Sequence, residues 1–221
     1  ITGGTLQYKL DGGSYNAELP KATNAGSYTV YYKVKGNNTT HSDSSEQSFT
    51  VTIAPKTVTA AVSVEPTSYT YTGEAIMPTT VTVKDGTTVI PASEYTVVYT
   101  DNINVGTATV NVSDRAGGNY VVSGTATFTI TKAALSGVSV SLGGWTYGDT
   151  AKTPTVSGNL GNANVTYQYK AADAADETYT NVVPTNAGTY TVKATVAESA
   201  NYAAATATRN FTIVPKAISK A

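Results

Sequence analysis

The 221-residue sequence predicts an all-β chain built of tandem sandwich-like units, and three observations predict it. Thr (40) and Val (25) supply 65 of the residues, while Leu occurs only 6 times. β-Branched side chains lose rotamer freedom in helices and pack well on pleated surfaces. Apolar and polar residues alternate with a period of two, as in Ala108-Thr109-Val110-Asn111-Val112 and Tyr190-Thr191-Val192-Lys193-Ala194-Thr195-Val196; that period places one side-chain set inward and the other outward along a strand. The third observation is an internal repeat, the sign of a stacked or tandem architecture.

The repeat has three signatures. Thr23-Asn24-Ala25-Gly26-Ser27-Tyr28-Thr29-Val30 is echoed by Ile103-Asn104-Val105-Gly106-Thr107-Ala108-Thr109-Val110 and by Thr185-Asn186-Ala187-Gly188-Thr189-Tyr190-Thr191-Val192. The marker glycines stand at 26, 106 and 188, spacings of 80 and 82. Each segment is followed by a Phe-Thr strand: Phe49-Thr-Val-Thr-Ile53-Ala-Pro-Lys56, Phe128-Thr-Ile130-Thr-Lys132 and Phe211-Thr-Ile213-Val-Pro-Lys216. The third signature occurs twice, as Tyr69-Thr-Tyr71-Thr-Gly73 before Pro78 and Trp145-Thr-Tyr147-Gly148 before Pro154. These markers set four segments: a truncated repeat 1–55, complete repeats 56–132 and 133–216, and 217–221 as the start of a further repeat or a linker. A fragment of a longer repeat protein is therefore expected, so no targeting signal is read from its termini. Within a unit, Val81-Thr82-Val83-Lys84 followed by Asp85-Gly86 reads as a strand ending in a tight turn. Six or seven such strands fit in each complete repeat, at the turn spacing of a sandwich or barrel.

Composition excludes several functions. Charged residues are 13% of the chain and the net charge is −1, against about 25% charged in soluble domains. No basic patch for nucleic acid follows from that, and no run reaches the ~18 apolar residues of a membrane span. Leu, Ile, Val and Phe total 42 residues, a low count for a packed core, but low net charge argues against disorder and 16 Tyr supply apolar area. With no cysteine, each unit depends on its own core; a domain of about 80 residues buries only about 60–65% of its chain surface, so stability should be modest.

The segment Asn-Ala-Gly-x-Tyr-x-Val in the first and third repeats resembles the start of strand F in immunoglobulin-like domains. The resemblance implies a tyrosine corner, in which the hydroxyls of Tyr28 and Tyr190 bond back to backbone near the turn, with Val30 and Val192 as inward core positions. Ala108 stands where the second repeat would need its Tyr, so that corner is missing or replaced. The Phe-Thr strands would be strand G. Taken together, the signatures resemble the MBG-type repeats of large bacterial surface proteins, including the variety named for a Tyr-Gly-x motif, which Tyr147-Gly148-Asp149 matches directly and Tyr71-Thr72-Gly73-Glu74 with one insertion. That resemblance implies Ig-like sandwich domains in an elongated array, with β-grasp modules as the alternative, in secreted or wall-attached proteins that are often adhesins.

Candidate site residues all have a scaffold reading. Trp145 could stack on a sugar, yet Tyr69 fills its slot in the preceding repeat. His41 is the single His, so no second imidazole is available, and no Gly-x-Ser-x-Gly elbow accompanies it. Thirteen residues after the marker glycines come Thr39, Asn119 and Asn201; Tyr120 and Tyr202 follow the last two, and His41 takes the tyrosine slot with a one-residue slip. Asp173, Asp176 and Glu177 could pair as glycosidase carboxylates but do not recur. Asp101-Asn102-Ile103-Asn104 offers oxygens without EF-hand spacing and reads as a turn. Asn111-Val-Ser113 and Asn164-Val-Thr166 are expected by chance in a Thr-rich chain. No catalytic, cofactor-binding or metal-ligating residue is therefore assigned. The expected function is a non-catalytic stalk or spacer on a bacterial surface, partnered by neighbouring repeats of the same chain. The alternative is an adhesin module for host mucin, glycan or matrix protein, with its site in the non-repeated loops 36–47, 113–119 or 170–180.

Overall fold

In a computed structural model, residues 3–218 are described, so residues 219–221 of the segment read as a further repeat or linker lie outside it. The strands run β1 (Gly4–Leu10), β2 (Gly26–Gly36), β3 (Gln47–Ile53), β4 (Lys56–Thr57), β5 (Ala60–Glu65), β6 (Ser68–Thr70), β7 (Thr80–Asp85), β8 (Thr88–Val89) and β9 (Tyr95–Thr100). They continue as β10 (Gly106–Asp114), β11 (Tyr120–Val121), β12 (Ser123–Thr131), β13 (Ser139–Ser141), β14 (Trp145–Thr146), β15 (Thr155–Ser157), β16 (Val165–Ala171), β17 (Gly188–Val196) and β18 (Ala205–Val214). Helical structure among the described residues is limited to two three-residue 3-10 turns, Ala92–Glu94 and Asp176–Thr178. The chain is all-β, and the β-grasp alternative fails because among the described residues no helix is long enough to lie across a sheet.

Two compact units divide the chain: Ile1–Glu65 with Pro78–Thr100 and Thr109–Thr127, and Pro66–Met77 with Asp101–Ala108 and Phe128–Ala221. In the first unit β1, β2 and β3 form an antiparallel meander that sets Leu10, Val30 and Phe49 side by side. The sheet β5-β7-β8 faces β9 and β10 across a core of Val83, Ile90, Tyr95, Val112 and Val122, with Val62, Val81 and Val97 against it. The strand–turn reading of 81–86 holds: β7 ends at Asp85 and the hairpin to β8 turns through Gly86. Burying two pleated faces on each other in this way is what makes a sandwich.

In the second unit the sheet β14-β18-β17-β16 packs on the pair β13-β15. Between them lie Val140, Leu142, Trp145, Tyr169, Val192, Ala194, Phe211 and Ile213. The alternation read from the sequence is the reason: Val192, Ala194 and Val196 are buried along β17 while the intervening positions are less so. β14 runs parallel to β18, and a Cβ at Gly144, just before it, would sit 2.2 Å from the Thr212 carbonyl oxygen. Only glycine permits that approach. The order β6-β12-β10-β9, with β6 parallel to β12, repeats this arrangement. These are Ig-like β-sandwiches. Segment 133–216 carries six strands, within the expected range; 56–132 carries nine, because short edge pieces such as β4, β8 and β11 add to it.

The marker glycines also have a local cause. Gly26, Gly106 and Gly188 have φ of +153°, +147° and +157°, a region that residues with a Cβ rarely occupy. The same turn therefore needs glycine in every repeat.

Candidate binding surfaces and repeat junctions

The tyrosine corners form where the sequence places them. Tyr28 donates to the Asn24 carbonyl at 2.8 Å, and Tyr190 to the Asn186 carbonyl at 3.0 Å. Ala108 fills the second repeat's slot and is fully buried. There the Asn102 side-chain amide donates to the Ile76 carbonyl at 2.9 Å, and Ile76 N–H donates to the Asn102 carbonyl at 2.8 Å. The turn is tied by an amide where its sisters use a phenol.

Trp145 is core. It is buried and stacks on Phe211 with centroids 5.1 Å apart; Tyr69 meets Phe128 edge-on at 5.5 Å in the second repeat. The indole is thus held mainly by the core, though it also borders the groove beside Tyr147 and Asn186. The Tyr69 hydroxyl is buried without a partner, the cost of a Tyr where the third repeat has Trp.

The acidic candidates Asp173, Asp176 and Glu177 are all exposed, and one of them is paired. Asp176 contacts Lys170 at 2.9 Å; that hydrogen bond holds its carboxyl below the usual range and raises the Lys170 ammonium. Lys170 also donates to the Ala174 carbonyl at 2.5 Å, and the Tyr179 ring lies under Lys170 and Lys193. Among the described residues no group of three or more His, Cys, Asp or Glu could hold a metal ion, and Asp101-Asn102-Ile103-Asn104 lies in the turn before β10. Asn111 lies within β10 opposite Val98, and the Asn164 carbonyl accepts from Ala197 N–H at 2.9 Å.

Loop 36–47 is ordered by its own side chains. Asn37 Oδ1 accepts from the N–H groups of Thr39, Thr40 and His41. His41 is exposed, with Nδ1 2.8 Å from the Thr40 hydroxyl and its ring directly over Gly3. Asp43 takes Lys33 at 2.7 Å and Gly36 N–H at 3.0 Å, so its carboxyl is held low, chiefly by the lysine hydrogen bond. Beside it lies a cluster that sequence reading missed. Tyr15 donates to Glu46 at 2.5 Å, Lys9 pairs with Glu46 at 3.2 Å, and Lys9 and Lys33 both sit over the Tyr15 ring. Tyr15 is pushed up to about 12, first by desolvation and then by its bond to Glu46. Only the fold brings these four residues together; their order in the chain carries no signal.

Loop 113–119 is anchored at its end by Asn119 and lines a shallow groove with Ala25, Thr52 and Ile53. The Glu94 carboxylate accepts from Asn119 N–H at 2.6 Å and from its amide at 3.1 Å. Asn119 Oδ1 in turn accepts from Ala25 N–H at 2.8 Å, 94 residues away and one position before a marker glycine. Asn201 repeats the contact: its Oδ1 accepts from Val105 N–H at 3.0 Å, again just before a marker glycine. Its amide donates to Asn104 at 3.0 Å. Both asparagines bond at home through their backbone, accepting from Lys56 N–H and Ala133 N–H. Asn recurring thirteen residues after the glycine was the visible signal; what it bonds to was not.

Concave surface also lies along loop 170–180 and the chain after it. One groove of about 440 Å3 is lined by residues including Tyr169, Thr178, Thr180, Val182 and Val183. A second, lined in part by Tyr147, Asp149, Pro184 and Asn186, shares Val183 with the first. Val182 is 74% exposed at the mouth, beside Val183.

No family model matches the chain, and no curated protein matches it. Among solved structures it is similar to a "Protocadherin gammaB7 EC3-6 cis-dimer structure" at 11% identity and TM-score 0.30, covering 96% of this chain and 66% of that one. It is also similar to "Sidekick-1 immunoglobulin domains 1-5", at 14% identity and TM-score 0.31, covering 96% and 52%. The chain thus spans less than two thirds of either. At these scores the likeness carries no argument about function. No helix among the described residues is long and apolar enough to cross a membrane.

Proposed function

We propose that this chain is a non-catalytic spacer: tandem Ig-like repeats of a bacterial cell-surface or secreted protein that hold a functional domain away from its anchor. The observation that supports it most is the repeated side-chain tie, Asn119 to Ala25 and Asn201 to Val105. Recurring residues that could have been a site serve turns, cores and junctions. The MBG-type resemblance of the Tyr-Gly-Asp and Asn-Ala-Gly-x-Tyr segments supports the extracellular, bacterial assignment. Small-angle scattering of the 221-residue chain tests the spacer. End-to-end repeats with strands of ~3.3 Å per residue give a largest dimension on the order of 80–100 Å; a compact globule overturns it.

The second reading is an adhesin module for mucin, glycan or matrix protein. The grooves along 169–186 and the exposed Val182 favour it. A glycan array and a mucin pull-down with the whole chain should then give signal that Val182→Asp removes; no signal on either ends this reading.

A further inference from the structure

The two junction ties have the same parts, and a third copy of the receiving face stands open. In each filled junction the N–H preceding a marker glycine donates to the asparagine Oδ1, and Ala25 and Val105 are both partly covered. Ala187 holds the equivalent place before Gly188, is exposed, and has no hydrogen bond to its N–H among the described residues. The tyrosines tell the same story. Tyr71 and Tyr147 each lead their proline by seven residues, and each bonds through its N–H to the end of strand G, at Thr131 and Val214. Tyr71 meets Tyr202, the neighbour of Asn201, edge-to-face at 5.5 Å. Tyr147 is 48% exposed.

We infer that Tyr147 with residues 186–188 is a docking face for the Asn-Tyr corner of another repeat of this type, joined after Lys216. The occupant follows from the two filled junctions. In both, the asparagine's own carbonyl accepts from the residue three places after the last Ile of the preceding Phe-Thr strand: Lys56 after Ile53, Ala133 after Ile130. Lys216 stands three places after Ile213, so a repeat entered there would carry its asparagine to Ala187 as Asn201 is carried to Val105. The phenol face of Tyr147 would receive the following tyrosine, since an edge-to-face pair at this distance is a favourable aromatic geometry. Repeat 1–55 has Thr39 in the asparagine position and would not serve as such a partner.

This inference rests on the spacer reading, and amide hydrogen exchange separates the two. The full chain is extended after Lys216 by a copy of residues 134–216, so that Lys216 itself takes the place of Ala133. Exchange at Ala187 should slow about fivefold, the protection expected of one net hydrogen bond, and Tyr147 should lose exposure to a tyrosine-modifying reagent. Asparagine to alanine at the copy's equivalent of Asn201 should restore fast exchange; asparagine to aspartate, which keeps the accepting oxygen, should not. Within the unextended chain, Asn201→Ala should speed exchange at Val105 and Asn201→Asp should leave it protected. Unchanged exchange at Ala187, with the copy folded by its own Trp emission, overturns the docking face while leaving the spacer intact. Unchanged exchange at Val105 in Asn201→Ala overturns the tie itself.

Discussion

Phe49, Phe128 and Phe211 begin the same strand signature, yet they are 47%, 2% and 4% exposed. Replacing each by alanine should therefore give unequal losses. Phe211 stacks on Trp145 at 5.1 Å and Tyr190 at 5.8 Å and meets Tyr169 edge-on at 6.2 Å. Removing its ring forfeits the transfer free energy and leaves a closed cavity, so Phe211→Ala should cost about 3–5 kcal/mol. Phe49 has one aromatic neighbour, Tyr32 at 6.0 Å, and an open side into which solvent can move. Half of a Phe transfer with no cavity is ~1 kcal/mol. Urea unfolding followed by Trp145 emission reads the first directly, because the indole rests on the ring being removed. With m near ~1 kcal/mol/M, Phe211→Ala should move the Trp transition down by ~3–5 M, leaving the third repeat largely unfolded at low urea. Phe49→Ala should leave that transition in place and shift the far-ultraviolet signal slightly. A Phe211→Ala shift below ~1 M, or equal losses in the two variants, would refute the claim that the second sheet, not the motif, sets the energy.

Other outcomes follow from single contacts. Tyr190→Phe removes the corner bond to Asn186 and should cost ~0.5–1.5 kcal/mol in the same Trp transition; no loss would show the corner to be packing alone. Tyr69→Phe deletes a buried hydroxyl without a partner and should stabilise by up to ~1 kcal/mol; destabilisation in a thermal melt would contradict the orphan assignment. In an ultraviolet titration Tyr15 should ionise near 12. Its raised value means that its contribution to stability is complete below 10 and lost as pH rises toward 12; Glu46→Gln should lower that value part of the way, desolvation keeping the rest. Asp176, held low by Lys170, contributes above the ordinary carboxylate range and loses it as pH falls through its own lower value. Asp176→Asn should abolish that acid-side loosening, seen as faster proteolysis in loop 170–180, while neutral-pH cleavage rises toward the acid level.

The strand pattern, the marker glycines and the tyrosine corners were legible because each is local. Alternation in residues 188–196 follows from the pleat, Gly188 from a φ that residues with a β-carbon rarely adopt, and the Tyr190 bond spans only four residues. Trp145 was legible as scaffold because Tyr69 shares its slot. The Tyr15, Glu46 and Lys9 cluster was not, since it joins side chains 31 and 37 residues apart in sequence with no recurring spacing. Nor was the work of Asn119, whose partner lies 94 residues away.

By itself, then, the sequence determined an all-β chain of repeats and the backbone shape of their turns, because β-branching, period and glycine act over a few residues. Only the tertiary structure decided which copy of a motif is core and which is surface. Phe211 is buried because β13 and β15 close over its sheet, and Phe49 is half open on a three-stranded sheet with the same local pattern. Burial is a property of what a face meets, and that is settled by chain segments far from the face itself.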